Sequence, residues 1–172
     1  MVWAPSSGNG YPYGIPSPSA VDLKLMDTNK DGIVDSKDDP YLPFWPGDEY
    51  VDWVGLSIYS YGSVYPWQDN IVSPAGSFES VINNNGFYQT YSVLKNKALM
   101  ISETAATFHT NTPLGAGPGE VAVKQSFWRQ FLTNSTFIQT YTKVKLVCLF
   151  EYRKDEERIT CFYCSAVGRH AG

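Results

Sequence analysis

The stretch Ala98-Leu-Met-Ile-Ser-Glu-Thr-Ala-Ala106 decides how the rest of the chain is interpreted. Apolar residues run from Leu99 to Ile101, and a single carboxylate, Glu103, follows almost at once. A short apolar run bounded by polar residues is typical of a buried strand, and an α/β barrel presents its catalytic groups at the C-terminal ends of such strands. The pattern predicts a strand over Leu99 to Ser102 that places Glu103 at its end as a candidate catalytic group. The alternative is that Glu103 is only a solvated residue at the end of the strand.

Similar patterns predict the neighbouring elements. Three further strands are expected, over Met1 to Ala4, Tyr50 to Tyr59 and Val144 to Phe150. Helical segments are expected over Val21 to Met26, within Phe78 to Leu94 with a break around Asn83 to Gly86, and over Glu120 to Leu132. Strands that alternate with helices indicate parallel βα units. The predicted fold class is α/β, and four strands amount to half of the eight that close a (β/α)8 barrel of roughly 250 residues.

Composition narrows the classes of function. The chain has 172 residues, of which 17% are charged and 15% are aromatic, with 12 Tyr and 5 Trp. Low charge with many Tyr and Trp suits a secreted protein that handles carbohydrate, since flat rings stack on the apolar faces of sugars. A net charge of −4 argues against a nucleic-acid partner, and no apolar run approaches the ~20 residues that span a bilayer.

The remaining local motifs carry less information. Three cysteines cannot form a closed disulfide framework. Cys161 and Cys164 form a single C-x-x-C spacing, which is weak support for zinc without a second ligand pair. Asn134-Ser135-Thr136 permits N-glycosylation if the protein is secreted. No signal peptide is visible after Met1.

The segment from Asp27 to Asp38 fits the calcium-loop pattern D-x-[DN]-x-[DN]-G. Gly32 occupies the sixth position, where the turn requires a positive φ. Ca²⁺ takes six to eight oxygen ligands, so one loop can supply most of its shell. The predicted ligands are Asp27, Asn29, Asp31, the carbonyl of Ile33, Asp35 and Asp38. A solvated acidic turn is the alternative, and the loop also resembles one repeat of a dockerin, which carries two.

Three motifs together resemble a known family. They are Val2-Trp-Ala-Pro5, Trp45-Pro-Gly-Asp-Glu-Tyr-Val-Asp-Trp-Val-Gly-Leu-Ser-Ile-Tyr59 and Met100-Ile-Ser-Glu-Thr104. In order and spacing they resemble strands five to seven of glycoside hydrolase family 26, whose β-mannanases and related endo-acting enzymes are (β/α)8 barrels. The resemblance covers 1–157 and implies the C-terminal half of such a barrel, about strands five to eight, with the loop at 27–38 as an insertion. The atypical tail at 158–172 is interpreted as a gene-model artefact.

The resemblance also implies roles for single residues. Glu103 matches the nucleophile, and Tyr59 matches a tyrosine that hydrogen-bonds and orients it. Five residues are candidates for binding sugar: Trp3, Tyr65, Trp67, His109 and Phe150. Core packing is the alternative for Trp3 and Phe150, and an incidental loop position is the alternative for His109.

One part of the family pattern is missing. The acid/base of the family is a glutamate in a His-Glu motif on strand four, and no His-Glu pair occurs in this chain. Glu151 follows the last strand, but the charge cluster after it favours surface pairing. The sequence thus predicts a retaining glycosidase fragment, inactive alone, for β-mannan or a related β-glycan. Its parent is expected to be secreted, monomeric and free of organic cofactors, with calcium as a structural ion. The alternative is a non-catalytic, calcium-dependent carbohydrate-binding or scaffold module.

Overall fold

A computed structural model describes residues 1–12, 14, 17–64, 67, 69–110 and 117–152. The strands are β1 (Val2–Trp3), β2 (Trp53–Ser60), β3 (Ala98–Ala106) and β4 (Val144–Leu149). The α-helices are α1 (Ala20–Met26), α2 (Ser77–Ile82), α3 (Glu120–Trp128) and α4 (Ser135–Thr140). Two short 3₁₀ turns lie at Leu42–Phe44 and Asn84–Gly86, and a π-helical segment spans Tyr88–Leu94. Among the described residues, no helix has the length and apolar character that crossing a bilayer requires.

The four strands form one parallel sheet in the order β1-β2-β3-β4. The predicted α/β class with parallel βα units is therefore confirmed. The order of the strands in the sheet follows their order in the chain, so each new strand is added at the same growing edge of the sheet. All C-terminal strand ends consequently meet at one edge of the sheet, which is the edge where β2 and β3 carry their polar side chains.

Helices cover one face of this sheet. Val54, Leu56 and Ile58 of β2 are buried to 1% exposure or less, and they belong to one core cluster with residues of the helices. From the helical side this cluster includes Phe78, Ile82, Val123, Phe127 and Phe137. The opposite face of β2 carries Gly55, Ser57 and Tyr59, which lie outside that cluster in the described part of the chain. Alternation along a strand therefore separates a packed face from a polar one.

A bulge in β3 determines the direction of Glu103. Leu56 pairs with Ile101, but the next residue of β2, Ser57, pairs with Glu103, so Ser102 is an extra residue in β3. The pairing of β3 with β4 is also irregular between Ile101 and Thr104. Strict alternation would point Glu103 to the same face as Ile101, into the core. The extra residue reverses this pattern, as bulges do: Thr104 is fully buried and Glu103 is exposed.

The structure corrects several element boundaries. β3 extends through Glu103 to Ala106, so the carboxylate lies within the strand and not at its end. α3 ends at Trp128, four residues before the predicted end at Leu132. The residues around the sequon show no helical pattern, so the sequence did not predict α4. The N-cap of α4 is Asn134, whose side chain accepts a hydrogen bond from the N–H of Phe137. The break expected around Asn83 to Gly86 is confirmed, because α2 ends there.

Candidate active site

The centre of the candidate site is a hydrogen-bonded pair on neighbouring strands. The hydroxyl of Tyr59 donates to Oε2 of Glu103 across 2.9 Å. Tyr59 lies near the end of β2, and the bulge at Ser102 turns Glu103 to the same face. A hydrogen bond from a positioned donor fixes the orientation of a carboxylate. The pair therefore presents a carboxylate oxygen at the C-terminal edge of a parallel sheet.

Aromatic rings continue from this pair in two directions. Tyr61 stacks on Tyr59 with 5.2 Å between ring centroids and 19° between planes, and Trp67 lies 4.9 Å beyond Tyr61 at 31°. On the other side, Phe150 meets Tyr59 edge to face at 6.4 Å. Phe150, Tyr61 and Trp67 are each between 36% and 38% exposed. We call these four rings the aromatic row; it presents apolar surface to solvent beside Glu103.

Polar contacts tie together the loops that follow β2 and β3. The carbonyl of Tyr61 accepts hydrogen bonds from Thr107 Oγ1 at 2.9 Å and from His109 Nε2 at 3.0 Å. Because a carbonyl oxygen only accepts, Nε2 carries the proton in this contact. The amide of Asn70 bonds both backbone groups of His109, accepting from its N–H at 2.8 Å and donating to its carbonyl at 2.9 Å. The carbonyl of Tyr61 is therefore held by two side chains, and Asn70 fixes the backbone of one of them, His109.

The structure brings some predicted site residues together and separates others. Glu103, Tyr59, Trp67 and Phe150 are joined through the aromatic row, and His109 contacts that row at the Tyr61 backbone. Tyr65 lies outside the described residues, as does the tail with its two cysteines. Tyr61 was missed by the sequence analysis. The only signal for it was its position two residues after Tyr59.

Trp3 lies elsewhere. It pairs with Val54, five residues before Tyr59 on β2, which places it about 16 Å away along the strand at roughly 3.3 Å per residue. Its ring packs against Trp45 at 4.8 Å and Tyr91 at 5.3 Å, next to the buried core. The structure thus supports the packing alternative for Trp3 and does not bring it to Glu103.

Glu151 is occupied by an ion pair. Its Oε2 accepts from Lys124 Nζ at 2.6 Å, and Lys124 also pairs with Glu120 at 2.8 Å. Hydrogen bonds from Lys124 to Glu120 and to Glu151 raise the pKa of the Lys124 ammonium above its usual value. This surface pairing is the arrangement expected from the sequence.

The 27–38 loop is closed by hydrogen bonds to its own backbone. Asp27 accepts from the N–H groups of Asp31 and Gly32, at 3.1 and 2.8 Å, and Gly32 has a φ of +88°. Asn29 accepts from the N–H of Asp31, and Asp31 accepts from the N–H of Ile33, each at 2.9 Å. Within the described residues, no group of three or more His, Cys, Asp or Glu side chains is gathered as a metal site.

Asp38 is the anchor of that loop and differs from the other acids in being 3% exposed. Its Oδ1 accepts from the N–H of Thr28 at 2.7 Å, and its Oδ2 accepts from the N–H of Asp35 at 2.9 Å. Burial raises the pKa of the Asp38 carboxyl, but the hydrogen bonds from the N–H groups of Asp35, Asn29 and Thr28 outweigh burial and bring that pKa below its ordinary value. Asp35 also accepts from the N–H of Lys37 at 2.7 Å.

No protein-family model matches the chain, and no curated protein was found to be similar to it.

Proposed function

We propose that this chain carries the nucleophile half of a retaining glycoside hydrolase, endo-acting on β-mannan or a related β-glycan. The observation that supports this most directly is the hydrogen bond from Tyr59 to Glu103 at the C-terminal edge of a parallel sheet. Catalytic groups of α/β barrels lie at that edge. Trp67 and Phe150, exposed in the same row, supply apolar faces for sugar rings.

The proposed chemistry begins at Oε1 or Oε2 of Glu103. The carboxylate attacks the anomeric carbon and forms a glycosyl ester while the bond from that carbon to the leaving oxygen breaks. The electron pair of the broken bond departs with the leaving oxygen, which an acid must protonate when it belongs to an ordinary sugar. Water then hydrolyses the ester and restores Glu103. Tyr59 holds the carboxylate in one orientation during the attack.

The His-Glu pair that supplies the acid in glycoside hydrolase family 26 is absent from this sequence. Retaining enzymes keep the two carboxyl groups about 5–5.5 Å apart, and Glu151 is paired with Lys124. We therefore propose that the chain represents about strands five to eight of a (β/α)8 barrel and does not cleave natural glycans alone. Three features support the barrel: the sheet order follows the chain, the polar face of β2 lies outside the core, and edge strand β4 leaves Leu146 and Leu149 more than 40% exposed.

An activated substrate tests the nucleophile without the missing acid. A 2-deoxy-2-fluoro-β-mannosyl or glucosyl donor with a dinitrophenolate leaving group needs no protonation, because dinitrophenolate is already a stable anion. We expect intact-mass analysis to show one added glycosyl group, peptide mapping to place it on Glu103, and Glu103→Gln to remain unlabelled. Absence of labelling in the folded wild-type chain, or labelling of another residue, would contradict the proposal.

The carboxylate and amide oxygens of the 27–38 loop are the ligand type that Ca²⁺ prefers. We therefore propose that the ion, when bound, joins Asp27, Asn29, Asp31, Asp35, Asp38 and the carbonyl of Ile33 and pins the loop. The non-catalytic module remains the second candidate, and the same loop favours it. Glycan binding with and without chelator separates the two: binding that a chelator abolishes, in a chain that Glu103→Gln leaves unaffected and that the activated donor does not label, favours the module.

A further inference from the structure

We propose that Tyr61 and Trp67 form a stacking platform for sugar rings next to Glu103, and that Asn70 and His109 are positioning residues that hold this platform. The proposal rests on the function above, because it assigns where the β-glycan extends beyond the nucleophile. It adds Tyr61, Asn70 and the backbone contacts of His109 to the site.

The platform begins at the nucleophile pair. Tyr59 touches both Glu103, through its hydroxyl, and Tyr61, through its ring face. Trp67 continues the stack outward, so the ring steps of 5.2 and 4.9 Å lead away from the carboxylate in one direction. A ring face carries negative partial charge and attracts the positively polarised C–H groups of a pyranose. Because Tyr61 lies between Tyr59 and Trp67, Tyr61 supports the indole, and the 37% exposed ring of Trp67 supplies the surface for sugars beyond the unit at Glu103.

The backbone of Trp67 is held in an unusual conformation. Its φ is +53°, in the left-handed region that bulky residues seldom adopt, and its N–H donates to the carbonyl of Val64 at 2.7 Å. Such a conformation costs about 1–3 kcal/mol and persists only where its surroundings hold it. The loop therefore retains a strained geometry that leaves the indole 37% exposed at the end of the stack.

The positioning residues act on the Tyr61 backbone. Asn70 is 4% exposed, and its amide fixes both backbone groups of His109, whose imidazole in turn donates to the carbonyl of Tyr61. Thr107 adds a second donor to the same carbonyl. A platform that is already ordered loses less conformational entropy when a ligand binds. These contacts therefore strengthen binding without touching the sugar.

The experiment is calorimetric titration of the full chain with mannohexaose, xylohexaose and a mixed-linkage glucan hexasaccharide. We expect one of these glycans to bind, Trp67→Ala and Tyr61→Ala each to weaken that binding roughly tenfold, and Tyr50→Ala to leave it unchanged. Tyr50 is the matched control because it is a 59% exposed tyrosine in the turn before β2. Asn70→Ala and His109→Ala should weaken binding a few fold, and His109→Gln, which restores an N–H donor, should recover most of the loss.

The outcomes distinguish this inference from the function on which it rests. Glycan binding that both Trp67→Ala and Tyr61→Ala leave intact overturns the platform, while labelling of Glu103 by the activated donor still supports the function. Loss of binding in Trp67→Ala, with Asn70→Ala and His109→Ala at wild-type affinity, overturns the positioning roles. Absence of both glycan binding and labelling overturns the function and this inference together. Trp67→Phe provides a second measurement that preserves a ring: the glycan-induced change in tryptophan fluorescence should disappear.

Discussion

The hydroxyl of Tyr59 lies 2.9 Å from Oε2 of Glu103, although the two residues are 44 positions apart in the chain. The contact forms because β2 and β3 are parallel neighbours and because Ser102 is bulged out of the register between them. Residues on both strands therefore share one face at the C-terminal edge.

Tyr59→Phe removes the donor and keeps the ring. Since a hydrogen bond to a charged group contributes about 1.5–3 kcal/mol, we expect the rate of Glu103 labelling by the activated donor to fall at least roughly tenfold. The aromatic contacts of the ring remain, so the variant should still unfold cooperatively. Time-resolved mass spectrometry gives the rate, with Tyr50→Phe as the control. Equal labelling rates in Tyr59→Phe and wild type would show that Tyr59 does not assist the carboxylate.

Deletion of Ser102 tests the bulge. Without the extra residue, Glu103 follows Ile101 directly, and regular alternation keeps Glu103 beside Ser57 on the polar face and Thr104 in the core. We therefore expect the deletion variant to unfold cooperatively in urea and to retain Glu103 labelling by the activated donor. Ser102→Ala keeps the residue count and should unfold nearly as wild type does. A deletion variant that loses cooperative unfolding, while Ser102→Ala keeps it, would be incompatible with the assigned register.

Phe78→Ala tests the core between the helices and the sheet. Phe78 is fully buried and stacks on Phe131 with 4.0 Å between ring centroids. Its removal leaves a cavity, and we expect the free energy of unfolding to fall by about 3–5 kcal/mol. Val121→Ala, at a 68% exposed position of α3, should change the same urea midpoint little. A small effect at Phe78 would mean that the helices do not pack on this face.

The lowered pKa of Asp38 predicts how the stability of the folded chain changes with pH. Its pKa in the folded chain is lowered, because hydrogen bonds from N–H groups outweigh the effect of burial. A lowered pKa contributes stability at pH values above the ordinary aspartate value of about 3.9, and this contribution is lost as pH falls through the folded pKa. The stability difference between wild type and Asp38→Asn should therefore shrink between pH 6 and pH 3. If the stability difference between the two proteins grew toward acid pH, the pKa of Asp38 would be raised and not lowered in the folded chain.

Gly117→Ala tests the contact between the two loops at the positioning residues. Gly117 has a φ of +60°, and a Cβ there would lie 2.5 Å from the carbonyl oxygen of Asn70. The substitution forces the loop of Gly117 or the loop of Asn70 to move. We therefore expect weaker glycan binding together with a stability loss of about 1–3 kcal/mol. Gly119→Ala, where a Cβ would meet open space, is the matched control. Wild-type binding in Gly117→Ala would show that the loop geometry there is dispensable.

Sequence patterns were sufficient for the elements with strong local signals. The apolar runs in β2, β3 and β4 and the helical pattern over Glu120 to Leu132 located strands and a helix whose order already indicated parallel βα units. Sequence patterns failed where local and tertiary preferences differ. α4 has a single buried residue, Phe137, so its periodicity is too weak to detect. Trp3 is a candidate for a sugar site with core packing as its alternative, and only its pairing with Val54 distinguishes the two.

The sequence alone determined that Glu103 follows a buried apolar run and that a tyrosine ends the preceding strand, because both depend on residues adjacent in the chain. It did not determine which face Glu103 occupies. That depended on the bulge at Ser102, and bulge position is set by pairing with β2 and β4. The placement of Tyr61 likewise depended on Asn70, Thr107 and His109, which come from two loops. Hydrogen bonds between segments far apart in sequence leave no periodic pattern, so only the tertiary structure assembles the candidate site.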